Sequence, residues 1–311
     1  MSFQVTESFV KQFNANIFHL SQQRGSRFQP FVRLESQRGK SQFFDRLGSV
    51  VAQKKTSRHS DTPQIDTPHS RRRVTLVDFE HADLIDDADK IRMLIDPASD
   101  YAQAFMWAFG RAKDDEIIVA ADGDAFGGEE GGTTVVHPNT QKIASVSAGV
   151  GANLNVQALR LAKVLFDEAD VDDSIRRYFA FASSQQDSLL AETEVTSADF
   201  NTVRALVSGE VNQFVGFTYI RTQRLNLQSG ALLFDSGTGR FGGDAGVDAD
   251  TNRKCLAWAQ DGLLLATGMD IMTRIAERPD KSHSTQVFAQ MGIGSTRLEE
   301  EKVVVINCKE S

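Results

Sequence analysis

Cysteine is nearly absent. Two residues in 311, Cys255 and Cys308, cannot build a disulfide framework, and they form no C-x-x-C pair. Both fall in apolar strand-like stretches, where a thiol packs as a small hydrophobic group, so a reducing compartment is expected. No stretch approaches the roughly 18 consecutive apolar residues of a membrane span. The start, "MSFQVTESFVKQF", has no basic segment followed by a long apolar one, so no secretory signal is expected. Internal repeats and low-complexity tracts are missing as well.

Catalytic signatures are equally scarce. The six histidines (19, 59, 69, 81, 137 and 283) form no H-x-x-x-H and pair with no cysteine at metal-ligand spacing. There is no G-x-S-x-G and no Walker A lysine. "GTGRFG" (Gly237, Gly239, Gly242) follows the strand-like "ALLFD", but "GDAGVDADTN" comes next and cannot open the helix that a dinucleotide site requires. "DGDAFGGEEGGT" places Asp122 and Asp124 at the first and third positions of a calcium loop. Phe126 and Thr133 then stand where the fifth and twelfth ligands belong, so that reading fails. Asp248, Asp250 and Asn252 form a loose polar group that turn chemistry also explains. No cofactor, metal or enzymatic activity is expected.

What is present is enough apolar material, 41% of residues, for a sizeable core in one large or two intermeshed domains. The charge is uneven. Residues 1–73 hold 13 Lys and Arg against 5 Asp and Glu, and residues 74–311 hold 21 against 37. A basic leading part on an acidic body is a solvated tail, a nucleic-acid contact or a subunit arm docking on an acidic neighbour.

Periodicity supplies the elements. Val10, Phe13, Ile17 and Leu20 share one face of a predicted helix over 6–22, with Thr6 as N-cap and Gly25 as stop; the face packs on the chain's own core or on another subunit. "FVRLES" (31–36) and "SQFF" (41–44) read as strands broken at Arg38-Gly39-Lys40, and "RRVTLVDFEHADLI" (72–85) resumes the pattern. Between them Gly48–Arg73 is polar and basic, and Pro63 and Pro68 bar it from a central strand, so a long hairpin with a mobile tip is expected. Asp96 and Pro97 open a long helix to about Ala121, with Tyr101, Phe105, Ala108, Phe109 and Ala112 as its stripe and Trp107 widening it.

Beyond the turn-rich 122–132, "TTVVHP" and "KIASVS" predict a small hairpin. Residues 153–171 predict a helix with Val156, Leu159, Val164 and the Leu161/Leu165 pair facing inward. "RYFAFAS" (177–183) predicts a buried strand, "SQQDSLLAE" a short helix, 197–211 another helix capped by Ser197 or Asp199, and 214–225 one strand. The last third is β-rich. The fold class is α+β, without regular βαβ alternation.

This order resembles the major capsid protein of tailed double-stranded-DNA bacteriophages, the Hong-Kong-97-type fold. "GKSQFF" and the run "RRRVTLVDFEHADLIDDADKIRMLIDPASDYAQAFMWAFGRAKDDEIIVAADG" look like an extended loop leading into a spine helix, as in short-tailed phages in particular. "ADFNTVRALVSGEVNQFVGFTYIRTQRL" resembles an axial-domain helix and strand. The closing strands carry a G-x-x-R-like turn and a final "VVVI". The resemblance covers about residues 30–307 through order and length; no single motif in it is specific.

The resemblance implies an N-terminal arm (1–30), an extended loop (31–86), a peripheral domain with the spine helix (87–145), an axial domain (146–270) and shared closing strands (271–311). It implies hexamer and pentamer rings of a shell around viral DNA, held without sequence-specific contacts. It also implies scaffolding, portal and possible cement or decoration partners, a place in the virion after assembly in the bacterial host cytoplasm, and no membrane. The expected intersubunit residues are Val10, Phe13, Ile17 and Leu20; the basic Arg38, Lys40, Lys54, Lys55, Arg58, Arg71, Arg72 and Arg73; and the acidic Asp86, Asp87, Asp167, Glu168, Asp172 and Asp173. Lys54 and Lys55 lie in the loop where some family members crosslink, but no acidic catalyst or partner Asn is evident, so both are read as charge contacts. A nanocompartment shell of the same fold, or an α+β enzyme with a nucleic-acid-binding basic arm, are the competing readings.

Overall fold

The computed structural model describes residues 21–55, 57–58, 64–86, 98–147, 150–151, 153–192, 213–225, 227–229, 232–235, 240–244 and 251–309. The expected helix over 6–22, apart from Ser21 and Gln22, which are not helical, the expected helix over 197–211, the capping pair Asp96–Pro97, and Pro63, Gly237, Gly239, Asp248 and Asp250 lie outside them.

In chain order the strands and helices begin with β1 (Arg33–Ser36), β2 (Ser41–Leu47), β3 (His69–Thr75), β4 (Val77–Ile85) and helix α1 (Ala98–Asp122). There follow β5 (Ala125–Gly127), β6 (Thr133–Val135), β7 (Lys142–Ala144), β8 (Val146–Ser147), β9 (Val150–Gly151), α2 (Val156–Glu168), β10 (Arg177–Phe181) and α3 (Ser183–Ala191). The last are β11 (Gln213–Phe214), β12 (Phe217–Arg221), β13 (Leu227–Ser229), β14 (Leu232–Asp235), β15 (Arg240–Asp244), β16 (Thr251–Ala259), β17 (Leu263–Arg278), β18 (Ser284–Arg297) and β19 (Val303–Lys309).

The chain divides into two units. One comprises Met1–Ser26, Asp78–Arg111 and Met269–Met291, the other Arg27–Val77, Ala112–Gly268 and Gly292–Ser311.

The larger unit is organised on a seven-stranded sheet in the order β11-β12-β10-β16-β19-β7, with β13 added beside β16. β10 lies parallel to β12 and antiparallel to β16, and every residue of its "RYFAF" is buried. A strand covered on both faces needs an unbroken apolar run instead of alternation. Helix α2 starts because Asn155 accepts the Ala158 N–H at 2.8 Å, a side-chain cap. Val156, Leu159, Ala162, Leu165 and Phe166 go inward, whereas Leu161 and Val164, expected on that face, are exposed. At 100° per residue they lie well round the helix from Leu159. Cys255 and Cys308 are fully buried on the neighbouring antiparallel strands β16 and β19, and burial raises the Cys308 thiol well above its ordinary value.

Two further expectations are corrected. β6 pairs with β5 and β7 lies parallel to β19, so "TTVVHP" and "KIASVS" join different sheets instead of one hairpin; Pro138 and the tight 3₁₀ turn Asn139–Gln141 redirect the chain between them. The stretch 214–225 is not one strand. Val215 and Gly216 both take positive φ (53° and 82°), and β11 folds back on β12 with Phe214 opposite Phe217. Two positive-φ residues make the tight hairpin turn that Asn-Gly ordinarily signals.

In the smaller unit, Gly25 has φ 74°, and a Cβ on Gly110 of α1 would stand 2.5 Å from the Gly25 carbonyl carbon. Glycine at 110 therefore lets the helix lie directly against backbone. Arg24 stacks on Trp107 at 5.2 Å, and His81 meets Phe105 edge-on at 4.2 Å.

A four-stranded sheet in the order β1-β17-β18-β4 and another in the order β2-β3-β5-β6 complete the main architecture. β14 and β15 form a separate antiparallel pair, so the glycine-bearing "GTGRFG" leads into a strand.

Candidate assembly surface

The β2–β3 hairpin is in register from Ser41↔Thr75 to Leu47↔His69, and Gly48 N–H closes its neck on Pro68 O at 2.9 Å. The segment between the two paired strands is therefore 48–68. The Arg71-Arg72-Arg73 run is not in the tip but in the paired strand.

Strand alternation then sorts the three arginines. Arg71 stays at the surface opposite Asp45, 2.7 Å from its carboxylate. Arg72 shares the face of Val74, whose neighbours are Leu264, Ala266 and Leu298, and is 2% exposed. It pairs with Glu300, and burial pulls its guanidinium below its ordinary value while Glu300 opposes the shift. The period of two that buries Val74 also buries Arg72, and its charge is answered inside its own chain. Arg73 lies over the Phe126 ring at 5.1 Å.

Glu300 is a shared counter-ion, with Arg46 at 3.7 Å and Arg297 at 3.8 Å. Arg297, fully buried, is the residue of the "G-x-x-R" string. It lies in β18 instead of a turn and donates to Ala121 O (3.0 Å), Gly123 O (2.9 Å) and Val135 O (3.3 Å). It therefore satisfies carbonyls at the C-terminal end of α1, which a helix leaves without partners. Asp122 beside it draws Lys254, Lys142 (3.1 Å) and His137 (3.5 Å). Burial alone would raise its carboxyl, but His137, Lys254 and Lys142 outweigh that and hold it far below the ordinary range. Asp114, fully buried, accepts the Arg27 and Phe28 N–H groups at 3.0–3.1 Å. None of Glu300, Arg297, Asp122 and Asp114 was singled out for such a role from sequence. The available signal was a charge at an inward position of an apolar strand or helix.

The tip itself combines charge with exposed apolar groups. Lys54, Lys55 and Arg58 are exposed, as are Arg38 and Lys40 at the β1–β2 turn. Among them Leu47 is 70%, Val50 53% and Val51 76% exposed. The acidic residues differ in their freedom. Asp167 and Asp173 hold Arg177 of their own chain at 2.7 and 2.9 Å. Asp172 caps Ser174 N–H at 2.8 Å, which lowers its carboxyl. Glu168 is exposed. Asp86 is exposed and accepts the Ser284 hydroxyl. Val10, Phe13, Ile17, Leu20 and Asp87 lie outside the described residues.

Among the described residues no helix is long and apolar enough to cross a membrane, and no group of three or more His, Cys, Asp or Glu is placed to hold a metal ion.

A family model described as phage capsid protein matches residues 5–310. A comparison with curated protein sequences finds no match. Solved structures with the same fold include the capsid of Ralstonia phage GP4 (11% identity, TM-score 0.73, covering 98% of this chain and 96% of that one). The capsid of Helicobacter pylori bacteriophage KHP30 is similar (12%, 0.72, 99% and 98%), as is the capsid of cyanophage P-SCSP1u (17%, 0.71, 99% and 95%). At these identities the likeness establishes the fold, which is α+β with several sheets and few helices.

Proposed function

The chain belongs to the phage capsid protein family, and from that premise we propose how its parts serve the shell. It is a structural, non-enzymatic subunit that self-assembles in many copies, and its place is the virion. Neither a compartment around an enzyme cargo nor a nucleic-acid-binding enzyme is favoured by the family match.

The hairpin tip reaches a neighbouring subunit. The observation that carries this is the exposure of Leu47, Val50 and Val51 beside Lys54 and Lys55, at the end of a hairpin whose base is locked by Arg72 and Glu300. Apolar side chains left in water at the end of a projecting element favour cover by another surface. Arg38, Lys40, Arg58 and Arg71 add charge toward Asp86, Asp87, Glu168 and Asp172 of neighbours, each exposed pair contributing only about 0–1 kcal/mol. Asp167 and Asp173 contribute less, being engaged with Arg177. The N-terminal arm adds the Val10, Phe13, Ile17 and Leu20 face. In domain terms, 31–86 serves as extended loop, 87–145 as peripheral domain, 146–270 as axial domain and 271–311 as closing strands. Assembly proceeds in the bacterial host cytoplasm with scaffolding and portal proteins, a cement protein being an optional addition, and the shell holds DNA without sequence-specific contacts.

The test is electron microscopy of the expressed protein. The intact chain yields uniform closed shells. Replacement of residues 50–66 by a short Gly-Asn turn leaves a folded subunit that no longer closes them. Normal shells from the shortened chain would remove the tip from the interface.

A further inference from the structure

Among the described residues, strand β17 has an open edge. β1 runs beside it only from Leu264 to Thr267, and beyond Thr267 no strand among the described residues pairs on that side. Gln37 N–H donates to Thr267 O at 2.9 Å, so Thr267 turns its peptide groups toward that side. Strand alternation then turns Met269, Ile271, Thr273 and Ile275 the same way. Ile271 agrees: its N–H is held at 2.9 Å by the carboxylate of the preceding Asp270, a local substitute for a ladder partner. Every residue from Met272 to Glu277 is exposed, including the large apolar Met272 (40%) and Ile275 (54%). A long unpaired edge is a template for another strand.

The sequence around Met272 says which strand. Asp270-Ile271-Met272-Thr273-Arg274, laid antiparallel on itself about Met272, sets Asp270 opposite Arg274 twice, Ile271 opposite Thr273, and Met272 opposite its own copy. The backbone phase fits this centre. Ile271 and Thr273 are the residues whose peptide groups face outward, so they exchange the hydrogen bonds. Asp270, Met272 and Arg274 then fall at the close, non-hydrogen-bonded pairs, where side chains meet. We propose that this edge of β17 pairs antiparallel with the same edge of a second copy across a two-fold axis centred on Met272. A two-fold contact requires a patch complementary to itself, and the Asp270/Arg274 arrangement supplies it. The proposal rests on the shell reading, because a closed lattice of rings repeats such contacts between rings.

Oxidising shells of Met272→Cys should produce disulfide dimers on a non-reducing gel, since Cα atoms at a close antiparallel pair lie within disulfide reach. The unmodified chain stays monomeric on the gel, because its own cysteines are buried. Ile275→Cys also stays monomeric, its copy lying about 20 Å away across the axis. Asp270→Arg and Arg274→Asp each lower shell yield several-fold at low salt, and the double variant restores it. Normal shells with a monomeric Met272→Cys, or equal dimers from Met272→Cys and Ile275→Cys, would overturn the strand pair. The edge would then be covered by residues 1–20 of the same chain or by another segment of a neighbour. Should the unmodified chain form no particles, the shell reading fails instead, and oxidation of Met272→Cys at high protein concentration still decides the pairing.

Discussion

Arg72 of β3 and Glu300, 228 positions later, close on each other beneath the hairpin, with Arg46 and Arg297 drawn to the same carboxylate. The pair fastens the base of an element whose far end carries exposed valines and lysines. Adjacent residues of one basic run therefore have different work.

That difference is measurable. Arg72→Ala leaves Glu300 facing fewer cations and removes a fully packed side chain, and should cost about 3–5 kcal/mol of subunit stability. Arg71→Ala, which loses only a surface pair with Asp45, should stay within about 1 kcal/mol. Urea denaturation of the unassembled subunit separates them; equal losses would contradict the burial of Arg72.

Asp122→Asn should destabilise the fold by about 3 kcal/mol, because Lys254 and Lys142 lose their shared carboxylate. The carboxyl is held below its unfolded value, so its contribution is fully present above about pH 4. It is lost as pH falls toward the folded value. The gap between parent and variant, followed by denaturation at stepped pH, should therefore narrow in acid. A gap that widened there would reverse the assignment.

Val215→Asn should stabilise the subunit by about 1 kcal/mol. A β-branched residue at φ 53° is strained, and Asn tolerates that conformation in a two-residue hairpin turn. Thermal denaturation reads the gain, and a loss would show that Val215 packs usefully enough to offset its backbone strain.

At the tip, Val51→Asp should raise the protein concentration needed for assembly by about tenfold or more, since burying a valine contributes about 1.5 kcal/mol or more. Lys54→Ala should change it by less than about fivefold. Light scattering across a dilution series gives both values. A larger effect from the lysine would make the contact electrostatic.

Local pattern made much of this legible. The stripe of Phe105 and Phe109 lies in α1, "RYFAF" is a fully buried strand, and the glycine string of "GTGRFG" leads into a strand and not a helix. Misreadings arose where partners were remote or signals atypical. "TTVVHP" and "KIASVS" have the alternation of strands, but nothing local says which sheet each joins. Val215-Gly216 makes a turn without the residues that usually advertise one. Leu161 and Val164 are apolar and face outward, which composition cannot distinguish from facing inward.

The sequence by itself determined the α+β class, the polar excursion between two strands and the opposed charge of the leading and following parts, because periodicity, proline placement and charge are local properties. Tertiary structure alone decided that Arg72 is locked inward on Glu300, that Arg297 serves the end of α1, and that no described strand pairs with β17 beyond Thr267 on its β1 side. Each depends on which distant segment arrives at a given face, and that is set by packing of the whole chain.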